Sequence, residues 1–79
     1  VTIDTAETIA AVWRASRQET QVLLGGLARL ERAVARAIEN PPAADQAAAW
    51  NEVLAAQRAA LEASRARTAM IAALLEERR

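Results

Sequence analysis

The side chains able to do chemistry are few. Ser16 and Thr20 in the first half, and Ser64 and Thr68 in the second, are hydroxyl pairs with a four-residue spacing. A hydroxyl becomes a nucleophile only when a neighbouring base takes its proton. The chain has no His, Cys, Lys or Tyr, which removes the usual general bases, thiol nucleophiles, Schiff-base lysines and zinc ligands together. The hydroxyls are therefore expected to bond to the carbonyl one turn earlier in their own helices.

Carboxylates alone could still bind a metal. A di-iron site in a helical bundle requires Glu-x-x-His motifs, which cannot occur without histidine. Glu31 and Glu62 are the acids nearest the middle of each half, with Arg32 and Arg65 close by, a pattern of solvated ion pairs. There is no Gly-rich phosphate loop. The expectation is a non-enzyme with no cofactor, no metal site and no small-molecule substrate.

Composition narrows the remaining classes. Of 79 residues 53% are apolar, but much of that fraction is alanine, which favours helix while burying little area. So short a chain buries only about 60% of the surface its unfolded form exposes. Without cysteine there is no disulfide to compensate, so stability must come from helix packing or from a partner. All ten basic residues are Arg, balanced by ten acids and interleaved with them. Sequence-nonspecific nucleic-acid binding requires clustered positive charge, and is not expected. No apolar run approaches the roughly 20 residues that cross a bilayer, so no membrane partner is expected. Residues 1–8 lack the basic start and apolar run of a signal peptide, and the expected location is cytoplasmic, or exported without a cleavable signal.

These residues must be positioned by helices. Asp4, Thr5 and Glu7 stand where a helix begins, with the Asp side chain accepting from the third amide and Glu7 reaching back. Bulkier residues then recur with a heptad period, Trp13, Thr20, Leu27 and Val34 in one column and Ile9, Ser16, Leu23, Leu30 and Ala37 in the other. Asn40-Pro41-Pro42 ends this helix, because a residue before proline leaves the α region. Pro42 suits a first helical position, and Asp45 adds negative charge to the next opening turn. Trp50, Gln57, Ser64 and Ile71 alternate with Leu54, Leu61, Thr68 and Leu75 in a second seam. The reading is a single all-α hairpin, coiled-coil-like, with helix over 5–39, a turn at 40–44 and antiparallel helix over 45–77.

In an antiparallel hairpin facing residue numbers sum to a constant, here about 85 from equal rise per residue. Val34 then meets Trp50, Leu30 meets Leu54, Leu23 meets Leu61, Trp13 meets Ile71 and Ile9 meets Leu75. The same register gathers Ser16, Thr20, Ser64 and Thr68 in one layer. Hydroxyls there forgo the burial leucines would provide, so the half away from the turn is expected to be the looser and able to admit a partner helix, the alternative being that the small residues simply permit tight helix–helix approach. Trp13 and Trp50, the only aromatics, fall on the seam, where a core role is expected over a binding one. Gly25 and Gly26 sit in mid-helix at about 1 kcal/mol each relative to alanine, either allowing close helix approach, which is favoured, or forming a hinge.

The second helix carries more apolar surface than one partner can cover. Ala49, Val53, Ala56, Ala60, Ala63, Met70 and Leu74 follow a second three-four spacing interrupted by Arg67. Small residues in such a row allow close approach, and Val53, Met70 and Leu74 are poor choices for a solvated face. Val22, Leu24 and Ile38 add apolar surface outside the first seam. The seven residues from Ala49 to Leu74 are the candidate partner-binding set, and the expected assembly is four-helical, with another helical protein or a second copy.

Asn40-Pro41-Pro42-Ala43-Ala44-Asp45, followed by a long helix bearing Trp50, resembles the layout of small helical-hairpin proteins of bacterial type III secretion. Both the needle subunits and the co-chaperones that hold them before export share this form. Needle subunits carry a second proline a few residues after the first and an apolar C-terminal tail. Here the prolines are adjacent and the sequence closes with Glu76-Glu77-Arg78-Arg79. The resemblance therefore implies an adaptor or chaperone-like hairpin binding another helical protein. The alternative is a self-associating structural subunit, as a dimeric four-helix bundle, a filament, or a phage or secretion particle component.

Overall fold

A computed structural model of the chain describes residues 5–38 and 42–78. It is a hairpin of two helices, α1 at Ala6–Ala37 and α2 at Ala44–Arg78, and its extents are 57 × 19 × 16 Å. The all-α antiparallel architecture read from the heptads is the one observed. Among the described residues there is no strand, and no helix is long and apolar enough to cross a membrane.

The helix ends differ in detail from expectation. Thr5 is the N-cap of α1, extended at φ −72° and ψ 152°, with its hydroxyl oxygen accepting from the Thr8 amide at 3.2 Å. That contact satisfies one of the unpaired donors of the first turn. Asp4, the expected cap, lies outside the described residues. At the other end Ile38 turns extended while its N–H still bonds to the Val34 carbonyl at 2.9 Å, so α1 stops short of residue 39. Of the expected turn at 40–44, residues 40 and 41 lie outside the described set, and Ala44 is already helical. Pro42 is not the first helical residue. The Ala43 carbonyl accepts from Ala47 at 3.0 Å, which makes Ala43 the cap and Ala44 the first residue of α2. Asp45 follows in the first turn, where its charge suits the helix N-terminus.

One seam holds the two helices together. Ile9, Leu27, Val34, Leu54, Leu61 and Leu75 are its buried apolar residues. Leu27, Val34, Leu54 and Leu61 form a central cluster against which Leu23, Leu30 and Trp50 pack. Each fully buried side chain of this size stabilises by roughly 1.5–3 kcal/mol, so a core this narrow is sensitive to any single truncation. The seam holds the expected register, since Ser16 hydrogen-bonds Thr68 and Thr20 hydrogen-bonds Ser64 across it. α1 is continuous through Gly25 and Gly26, so there is no break there, and of the two only Gly26 stands close to α2, where a Cβ would lie 3.3 Å from Nε2 of Gln57.

Candidate functional site

The four seam hydroxyls form one connected layer. Thr20 Oγ1 donates to the Ser16 carbonyl at 3.0 Å, and Thr68 Oγ1 donates to the Ser64 carbonyl at 2.9 Å. A hydroxyl has only one proton to give. With both threonine protons so placed, Ser16 must donate to Thr68 at 2.6 Å and Ser64 to Thr20 at 2.7 Å. The pattern repeats itself about an approximate two-fold between the helices. Only the threonines bond within their own helices, as the sequence suggested for all four. The serines reach across, because at seam positions their short side chains point at the opposite helix. Ser64 is 1% exposed, and its hydroxyl is fully engaged. This layer joins the helices and offers no free nucleophile.

The acids do not converge. Among the described residues no group of three or more metal-ligating side chains is close enough to hold an ion. Glu31 pairs with Arg58 of α2 at 3.4 Å, not with Arg32, because adjacent residues on a helix do not face each other. Glu62 pairs with Arg65 at 3.0 Å as the spacing suggested. Arg67, which interrupts the second stripe, reaches Glu19 of α1 at 2.8 Å. The Glu31–Arg58 and Glu19–Arg67 pairs join the helices on opposite flanks of the seam. The side chains of all three pairs are about half exposed or more, so each pair contributes only about 0–1 kcal/mol.

The hairpin leaves the second stripe uncovered. Ala49, Val53, Ala56, Ala60, Ala63, Met70 and Leu74 are all exposed, with Val53 at 41%, Leu74 at 48% and Met70 at 67%. They lie on the flank that carries the Glu19–Arg67 pair. On α1, Val12 and Val22 are exposed toward the same flank, and Leu24 is exposed on the other. Ile38 is half-buried at the turn end.

A feature the seam pattern did not reveal lies on the opposite flank. Trp13, Arg17, Thr20, Gln21, Arg65, Thr68, Ala69 and Ala72 line a concavity of about 380 Å³. Trp50 packs against the central cluster as expected of a core residue. Trp13 is only half-buried, and the Arg17 guanidinium lies 5.4 Å from its ring centroid. The core role expected for Trp13 is thus only half fulfilled. The signal was present in Ala69 and Ala72, which are too small to fill the space beside an indole. Compared with known proteins, the chain matches no family model, and no significant match is found among curated proteins or solved structures.

Proposed function

We propose that the hairpin is a non-enzymatic protein–protein interaction module, adaptor-like or chaperone-like, that lays the second stripe of α2 against a helix of another protein. The observation that carries this reading is the exposure of Val53, Met70 and Leu74 along one face of a helix whose other face α1 already covers. Large apolar side chains left exposed in a row along one helix face, broken here only by Arg67, are a feature of interaction sites. The alanines between these residues allow a partner backbone to come close, completing a four-helix arrangement. A bacterial secretion apparatus is the setting we favour, on the shared layout of turn and helices.

Self-association is the second reading. Val12 and Val22 extend the apolar surface onto α1 on the same flank, so two copies could match like faces in an isologous dimer. Light scattering or sedimentation over a range of concentrations separates the two. A monomer throughout supports the foreign partner. A dimer or larger mass that Val53→Glu with Met70→Glu returns to monomer supports self-association. Both substitutions lie off the seam, so a far-ultraviolet spectrum unchanged from the parent certifies the fold.

A further inference from the structure

We propose a second binding site, distinct from the α2 stripe: the groove beside Trp13 takes a partner helix that presents an apolar side chain flanked by carboxylates. Three observations converge on it. The first is shape. The concavity of about 380 Å³ falls within the range of roughly 300–1,000 Å³ typical of ligand sites, yet only two helices line it, so its third side is open. The lining of α1 runs from Trp13 to Gln21, about 12 Å along the axis, or two turns of an occupant helix.

The second is chemistry of the floor. Thr20 and Thr68 have their hydroxyls engaged in the seam layer, so they offer the groove carbon, beside the indole of Trp13 and the methyls of Ala69 and Ala72. An apolar anchor side chain suits this floor.

The third is charge. Arg65 is neutralised by Glu62, but among the described residues no carboxylate pairs with Arg14 or Arg17. These two arginines, with Gln18 and Gln21, border an adjoining recess of about 220 Å³. Arg17 lies over Trp13, an arrangement that occupies the face of the guanidinium and leaves its in-plane N–H donors available to a carboxylate. Two uncompensated cations beside an apolar floor favour an acidic amphipathic occupant over a basic one.

The test uses the full chain with Trp50→Phe, so that emission reports Trp13 alone, with helicity checked by circular dichroism. The probe is a synthetic amphipathic helix with leucines on one face flanked by glutamates, and its control has every glutamate replaced by lysine. Saturable change in Trp13 emission is expected with the glutamate peptide, weakening with added salt. Binding should fall about ten-fold or more with the lysine peptide and with Arg14→Glu plus Arg17→Glu. Val53→Glu with Met70→Glu should leave it unchanged. Equal binding of both peptides, no saturable signal, or loss through the stripe variants alone would overturn the proposal. So would an emission change driven by protein concentration without peptide, which would assign the groove to a second copy. Because the stripe variants are scored separately, failure here leaves the reading of the α2 stripe standing.

Discussion

A Cβ placed on Gly26 would lie 3.3 Å from Nε2 of Gln57, the amide that crosses the seam to donate to the Leu23 carbonyl at 3.3 Å. The missing side chain is what lets a polar residue at a seam position find a backbone acceptor on the facing helix. Gly25 has no such role. A Cβ there would meet only Arg29 Nη1, at an ordinary 3.8 Å.

The two glycines should therefore respond differently to alanine. Gly25→Ala should stabilise by about 1 kcal/mol, the helix-propensity gain alone. Gly26→Ala gains the same propensity but displaces an amide whose bond is worth about 0.5–1.5 kcal/mol, so its net effect should lie within about 1 kcal/mol of zero. Urea midpoints measure both. In a Gln57→Ala background Gly26→Ala should recover the full gain, and an equal effect of the two glycine substitutions in the parent would show that the Gln57 bond contributes nothing.

The hydroxyl layer should behave as a coupled unit. Ser64→Ala removes the donor to Thr20 but leaves the Thr20 proton on the Ser16 carbonyl, so the loss should be about 1 kcal/mol. Combining it with Thr20→Val should cost less than the two single changes together, since replacing both partners by apolar groups leaves nothing unsatisfied. A double-mutant cycle by chemical denaturation gives the coupling, and strict additivity would mean that the serine bond across the seam is energetically silent.

Hydrogen exchange addresses the end away from the turn. The sequence suggests a loose open end, whereas the structure places two hydroxyl bonds across the layer and buries Ile9 and Leu75 beyond it. Amides at 16–20 and 64–68 should then be protected about as well as those at 30–34 and 50–54, with faster exchange confined to the last turns. Markedly faster exchange in the layer would restore the splaying end.

Stability of the isolated chain should be modest. A single two-helix seam in a chain below about 80 residues seldom supplies more than about 3–5 kcal/mol. Either the melting temperature rises with protein concentration, as mass action requires of an oligomer, or unfolding occurs at low denaturant. A high melting temperature that does not move with concentration would contradict the reading of the stripe as an uncovered interface.

Much of the fold was legible because helical hairpins are governed by local rules. Heptad spacing places Leu27 and Val34 on one stripe and Leu54 and Leu61 on another before any contact is known, and a proline pair marks the neighbourhood where one helix gives way to the next. Two such stripes joined by a short turn admit one antiparallel register, which is why Ser16 met Thr68. The stripe from Ala49 to Leu74 was legible for the same reason, since three-four spacing sets which side chains share a face whether or not anything covers it.

What only the tertiary structure decided is where side chains reach once two helices lie side by side. Glu31 had Arg32 next in sequence but bonds Arg58, because facing across the seam brings charges closer than adjacency along it. The direction of the serine hydroxyls depended on both threonine protons being committed, a condition set by four residues on two helices at once. Trp13 occupies a seam position yet stands half open, because the small residues opposite, Ala69 and Ala72, do not fill the space its ring leaves. Periodicity reports which face a residue occupies. The volume and polarity of what it meets there are properties of the pair of helices, and only their packing supplies them.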